Sequence, residues 1–239
     1  MSQTPRYQEI RDDLLARMQD GTYPPGSLLP AEPELAETYG VSRPTLRQAI
    51  QLLADAGYVE KRRRRGTVVR RRKVEQRFMD ALMSYGADVE AQGAIPATRV
   101  LQARAQGASP EVARALGIEE GDPVASLMRL RFLDGEPAVL LRTWVPASAF
   151  PGLLAHDFER EGLYDVFAES GLPVETVRRV LEAALPDPVE AELLAIDEGQ
   201  PCFLFRSVGR AKTGQAIEYS VALYRGDINT FTVTLTTEG

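Results

Sequence analysis

Two groups of residues in this 239-residue chain have the types and spacing to do chemistry, and both are cationic. Nine of the thirteen positions from Lys61 to Lys73 are Lys or Arg, although the chain carries a net charge of -6 and a pI near 5.1. A guanidinium run of that density is an attractor for a polyanion. Just upstream, "SRPTLR" sets Arg43, Thr45 and Arg47 at the head of an apolar-periodic segment. Arginine can hold guanine through two parallel hydrogen bonds, while Thr45 and first-turn backbone amides suit phosphate or a thymine methyl. The second group is "SLMRLRF", where Arg129 and Arg131 lie two residues apart, together with Glu218, Ser220 and Tyr224 of "IEYSVALYRGD". In extended chain, residues two apart share a face. Two guanidiniums side by side repel unless an anion or carboxylates lie between them, so this strand pair reads either as an anion-binding pocket or as a salt-bridged exposed face.

Other chemistries find little support. One cysteine, Cys202, sits in the apolar run "PCFLFR" and reads as core. One histidine, His156, leaves too few soft ligands for a Cys/His metal site. No metal, no cofactor and no catalytic residue is expected, because nothing pairs a nucleophile with a convergent base. The chain has no apolar run near the ~18 residues that cross a bilayer, and its polar start is unlike a targeting peptide, so the expectation is a cytoplasmic protein with no membrane contact.

Charge separates the chain into two parts. Residues 1–77 hold 15 Lys/Arg against 10 Asp/Glu, and the remainder 13 against 24. Only the first part is suited to a polyanion. The boundary is expected in the weakly periodic segment after Lys73, giving a DNA-binding domain at 1–73, a linker at 74–92 and a second domain at 93–239.

The elements that must position these residues follow from periodicity. "RYQEIRDDLLARMQDG" repeats apolar residues every three to four positions and stops at Gly21, a helix. "PPGSLLP" reads as a turn-rich connection. "AEPELAETYG" reads as a short helix closed by Gly40, and Ser42 caps a third, in which Leu46, Ala49, Ile50 and Leu53 form the buried stripe. Arg47, Gln48, Gln51 and Thr45 are thereby left on the outer arc, with Arg43 at the N-terminal end. "GYVEKRRRRGTVVRR" is strand, basic turn, strand: a hairpin whose tip offers Arg63, Arg64, Arg65 and Gly66 to phosphates or a minor groove. Helix-turn-helix plus hairpin is a winged helix-turn-helix.

The acidic part reads as hairpin-joined strands interrupted by short helices, an antiparallel sheet in an α+β domain. Strands are expected at "ATRVLQARA", "PVASLMRLRFLDGEPAVLLRTWVP", "VETVRRVLEAAL", "PCFLFRSVGRAKTGQAIEYSVALYRG" and "TFTVTLTT". Helices are expected at "SPEVARALGI", "GLYDVFAESG" and "DPVEAELLAI". Met128, Leu130 and Phe132 should face away from Arg129 and Arg131, and Tyr219, Val221 and Leu223 away from Glu218, Ser220 and Tyr224.

Two resemblances sharpen this reading. "PGSLLPAEPELAETYGVSRPTLRQAIQLLADAGYVEKRRRRGTVV" resembles the winged helix-turn-helix of the GntR family of bacterial transcription regulators over about residues 5 to 70. The resemblance implies operator contacts from Arg43, Thr45, Arg47 and Gly66. It departs at Pro33, where the family usually has arginine, and at Arg64, which replaces the first wing glycine. "GDPVASLMRLRFLDGEPAVLLRTWVP", "EGLYDVF" and "TGQAIEYSVALYRGD" are similar to the effector-binding UTRA domain of the HutC subfamily, whose fold is similar to chorismate lyase. This carries effector contact onto Arg129, Arg131, Tyr164, Glu218 and Tyr224. Gly162 stands where the subfamily has serine, and Leu141 where it often has glutamate. Together these imply a ligand-responsive regulator, a repressor binding a pseudo-palindromic double-stranded operator as a homodimer and modulated by a small anionic metabolite. Two rivals remain: a lyase-like enzyme on the second domain, and an architectural DNA-binding protein whose second domain only dimerises.

Overall fold

The structure is a computed structural model that describes residues 5–62, 65–70, 73–76, 92 and 94–233. The chain divides into two compact units, Met1–Lys73 and Val74–Gly239.

In the first unit, helix α1 (Arg6–Gln19) buries Ile10, Leu14 and Met18 against α2 (Glu32–Thr38) and α3 (Arg43–Asp55). Gly40 adopts φ +61° to turn the chain between α2 and α3, a conformation that a Cβ disfavours. The Ser42 hydroxyl accepts the Thr45 amide at 3.4 Å and so fixes where α3 starts. Leu46, Ala49, Ile50 and Leu53 are buried, as the periodicity requires. Strand β1 (Val59–Arg62) pairs antiparallel with β2 (Gly66–Val69), with Val59 opposite Val69 and Arg62 opposite Gly66. Gly66, expected in the tip, is the first residue of β2. The segment read as a turn-rich connection does more: the Gly26 amide donates to the Val69 carbonyl (2.8 Å) and the Leu29 amide to the Thr67 carbonyl (2.9 Å). This short third lane covers the β2 edge, and its register is a tertiary match with no local signature. Arg63 and Arg64 lie outside the described residues.

The second unit is built on a six-stranded antiparallel sheet. Its strands are β4 (Pro96–Gly107), β5 (Pro123–Leu133), β6 (Glu136–Pro146), β7 (Thr176–Ala184), β8 (Cys202–Arg210) and β9 (Ala216–Arg225), in the order β4-β5-β6-β9-β8-β7. Asp134 and Gly135, with φ +51° and +85°, make the two-residue turn joining β5 to β6. Helix α4 (Pro110–Leu116), capped by Ser109, and helix α6 (Pro188–Leu194), begun by an Asp187/Glu190 capping box, cover one face over Leu130, Leu140, Trp144, Tyr219 and Leu223. Helix α5 (Leu163–Glu169) and the single turn Leu153–Ala155 cover the opposite face over Ala125, Leu127 and Val145.

Two features depart from the sequence expectations. Strand β3 (Val74–Gln76), in the stretch expected to be linker, pairs parallel with β10 (Asn229–Phe231), so the unit is not purely antiparallel. Val74 and Ile228 pack on Val139, Leu141, Phe205 and Ala222, and that burial anchors the pair to the sheet. "TFTVTLTT" is strand only at its start; Thr232 and Val233 follow without strand structure, and residues 234–239 lie outside the described residues. Most of the expected linker, residues 77–91, also lies outside them. Among the described residues, no helix is long and apolar enough to cross a membrane.

Candidate effector site and nucleic-acid interface

The helix-covered face of the second unit that carries α5 holds two apolar clusters, one under α5 and one under β3 and β10. Polar side chains occupy the sheet between them. β alternation sends Arg129 and Arg131 of β5 to this side, with Met128, Leu130 and Phe132 opposite, as the pattern demanded. Glu218 and Ser220 of β9 project the same way. The Tyr164 hydroxyl, from the first turn of α5, donates to Glu218 Oε2 at 2.8 Å. Burial and the adjacent Glu218 charge push the Tyr164 hydroxyl well above the usual phenol range. Gly209 lies opposite Glu218 in the register, and a Cβ there would come within 3.0 Å of Glu218 Oε2. Any residue with a Cβ there would make that carboxylate give way by a few tenths of an ångström.

Arg129 is the site's anomaly. Its side chain is 2 % exposed, its terminal nitrogen donates to Thr143 Oγ1 at 3.3 Å, and its Nε finds no hydrogen-bond acceptor among the described residues. Burial, reinforced by the Arg131 charge, lowers its pKa to about 9 against the pull of Glu218. It therefore remains a buried cation at neutral pH, a state that costs several kcal/mol unless something compensates it. The residue directly opposite Arg129 on β6 is the apolar Leu141, which offers no acceptor. Tyr224 shares the face, but its ring lies edge-on to Phe205 and Phe231, at 5.4 and 5.2 Å between centroids. All five residues expected at the effector site are within electrostatic reach of one another: Arg131, Glu218, Tyr164 and Tyr224 all act on Arg129, and Tyr224 also belongs to the aromatic cluster beside them.

Sequence reasoning missed three contributors: Thr143, Ser207 and Arg179. Thr143, Ser220 and Ser207 are register partners on β6, β9 and β8, and Arg179 of β7 continues the same row. Arg179 donates to Ser207 Oγ at 3.4 Å. "TVRRVLEAA" shows only that one of two adjacent arginines faces each way; pairing decides which. Cys202 is buried, and His156 Nδ1 lies 2.9 Å from Glu161 Oε2 on the surface.

In the first unit, Arg43, Arg47, Gln48 and Gln51 line the exposed side of α3. Thr45, half-buried, has its Oγ1 2.8 Å from the Ser42 hydroxyl, while Arg47 Nε donates to Glu32 Oε2 at 2.6 Å. The Arg65 amide bonds to the Arg62 carbonyl, and Gly66 takes φ +94° at the base of the hairpin tip. Glu60 gathers Arg62 and Arg70, which holds its carboxyl below the usual range.

Comparison with known proteins agrees with this division. Residues 6–69 match the bacterial regulatory proteins of the gntR family, and residues 91–229 match the UTRA domain. The chain is 38% identical over 231 residues to the HTH-type transcriptional repressor PhnF of Mycolicibacterium smegmatis, covering 96% of this chain and 92% of PhnF. It is 29% identical to the HTH-type transcriptional repressor NagR of Bacillus subtilis, over 96% and 94% of the two chains. The crystal structure of PhnF from Mycobacterium smegmatis superposes with a TM-score of 0.72 at 36% identity, over 95% of this chain and 99% of that one. A DNA-reading winged helix-turn-helix followed by an effector-binding sheet domain is the architecture of one regulator subfamily, and this chain belongs to it: the GntR family, of the HutC type that carries a UTRA domain.

Proposed function

We propose that the protein is a transcriptional repressor that binds a pseudo-palindromic operator as a homodimer and responds to a small anionic metabolite. The observation that carries the anion is Arg129, a desolvated guanidinium beside a second arginine and opposite an apolar Leu141, whose Nε has no acceptor among the described residues. The operator contacts are assigned to Arg43, Thr45 and Arg47 on α3 and to Arg63, Arg64, Arg65 and Gly66 of the wing. The repressor names of PhnF and NagR support the sign of regulation. The metabolite acts by binding two states of the dimer with unequal affinity, states that differ in affinity for operator. Regulation is preferred to lyase-like turnover because a fold likeness to an enzyme does not carry its chemistry, and the DNA-reading unit is part of the same chain.

Selection of bound duplexes from a random pool tests the reading. The recovered site should show two-fold symmetry, as a dimer of helix-turn-helix units requires. Arg47→Ala should weaken it by about 1 to 3 kcal/mol, because a base-edge hydrogen bond is removed. Neutralising Arg63 and Arg64 should weaken all sequences alike and flatten the salt slope by about one for each phosphate no longer held. Failure to enrich any sequence, or equal weakening on selected and random DNA, would overturn the assignment.

A further inference from the structure

On the exposed side of α3, Arg47 is held by another helix. Its Nε donates to Glu32 Oε2 at 2.6 Å, across 15 positions of sequence, from the second turn of α3 to the first residue of α2. The core fixes the two helices relative to each other, because Leu35 and Ala36 pack with Leu46, Ala49 and Ile50. The carboxylate is therefore delivered from a rigid base. The Arg47 side chain is 63 % exposed and that of Glu32 27 %. An ion pair so open to water adds little to stability, and its consequence is geometric. It takes Nε and leaves the two terminal nitrogens, the pair that matches O6 and N7 of guanine. Net electrostatics argue against a carboxylate in this place. The first turn of α2 holds Glu32 and Glu34 and no cation, and a negative group beside a base-reading arginine repels the phosphates that flank the groove. Glu34 is exposed and takes no part in the pair.

We propose that Glu32 is a positioning residue for sequence reading: through Nε it holds the Arg47 guanidinium in the orientation that presents both terminal nitrogens to a guanine edge in the major groove. The inference rests on the assignment of Arg47 to a base contact and adds the residue that prepares it. An untethered arginine samples many rotamers and loses them when it seats against a base, which weakens binding. Arg47 bonded to α2 has given up part of that freedom before the duplex arrives. The bond therefore favours the selected sequence and not DNA in general. On random duplex, where an arginine meets phosphates from many directions, the tether confers nothing and its charge is a hindrance. Loss of the carboxylate should lower specific affinity while leaving random affinity unchanged or raised. Neither helix stability nor net charge produces that pair of signs.

Fluorescence anisotropy of the full chain tests this with two probes, the duplex recovered from the random pool and a shuffled duplex of the same length and composition. Glu32→Ala should lower the ratio of selected to shuffled affinity at least about five-fold. Glu32→Gln keeps an acceptor for Nε without the charge, folds with the least disturbance, and should fall between Glu32→Ala and the wild type. Glu34→Ala removes the same charge from the same turn without touching Arg47, and should leave the ratio within about two-fold of the wild type. In an Arg47→Ala background, Glu32→Ala should change the ratio by less than about two-fold, because a residue that acts through another has nothing left to act on. The inference is overturned by a Glu32→Ala variant that keeps the wild-type ratio, strengthens both duplexes alike, or lowers the ratio equally with and without Arg47. An equal loss from Glu34→Ala overturns it as well. Arg47→Ala alone reports separately on the base contact: if it leaves the ratio unchanged, or if the pool enriches no sequence, the operator reading falls together with this inference.

Discussion

At the scale of single residues, the site is defined by a buried guanidinium, Arg129, whose Nε finds no acceptor among the described residues. Arg129 and Leu141 are cross-strand neighbours, so Leu141→Glu would set a carboxylate beside the guanidinium whose Nε has no acceptor among the described residues. An internal counter-ion competes with a ligand for the same donors. The expected outcome is a folded protein whose anion-induced thermal shift is reduced at least about ten-fold in apparent affinity, with the unliganded melting temperature unchanged or raised. The converse change, replacing both Arg129 and Arg131 with Met, removes a buried cation while keeping apolar length. Operator binding should persist in that variant and its response to anions disappear, as a gel-shift titration with and without 3-phosphoglycerate would show. A double variant that still responds with the wild-type midpoint returns the arginines to a structural role.

At the scale of elements, one polar contact ties α1 to the end of α2. The Tyr39 hydroxyl donates to Asp13 Oδ2 at 2.6 Å, and Arg17 Nε donates to the same oxygen at 2.8 Å. The Tyr39 bond, then Arg17, hold the Asp13 carboxyl below its ordinary value of 3.8 against the opposing cost of burial. A carboxyl whose folded pKa is depressed contributes stability above its unfolded pKa and loses it as pH falls through the folded value. Tyr39→Phe should therefore destabilise the helices modestly at pH 7, and the gap from wild type should close as the pH drops below about 4. Urea denaturation of the full chain followed by helical circular dichroism at pH 7 and pH 3 checks this; a gap that persists at pH 3 assigns the loss to packing alone. The exposure of Asp13 keeps the effect small, and added salt should shrink it further.

At the scale of the whole molecule, the two units have separate cores. The helical unit is closed by the cluster of Ile10, Leu14, Leu46 and Ile50, and the sheet unit by clusters on both of its faces. Scanning calorimetry should resolve two transitions, a departure from two-state behaviour expected of separate domains. A bound anion should move chiefly the transition of the sheet unit, by RT ln(1 + [L]/Kd), or about 2.7 kcal/mol at one hundred times Kd. Coincident transitions that shift together would show that the units unfold as one. Operator duplex should move the other transition, and the extent to which both ligands together depart from additivity measures the coupling on which regulation depends.

Local chemistry determined much of this protein before any tertiary contact was known. The Ser42 cap, the Gly40 turn, the stripe from Leu46 to Leu53 and the strand-forming flanks of the arginine run depend on neighbours within a few residues, and so they were legible as a winged helix-turn-helix. Alternation likewise fixed that Arg129 and Arg131 oppose Leu130, because the strand period is two whatever the partner. Strand register was legible only in part: nothing near Arg179 announces that it ends a row begun at Thr143, because that row joins strands distant in sequence, and although Leu141 lies across the Asp134–Gly135 hairpin from Arg129, a register shift between Arg131 and Phe132 decides which residue it faces. The same holds for the pairing of Val74–Gln76 with Asn229–Phe231, which joins segments more than 150 residues apart in a stretch with no periodicity of its own. Chain-local physics selected the elements and their faces; burial of those faces against each other selected the register, and the register alone decided which polar groups meet.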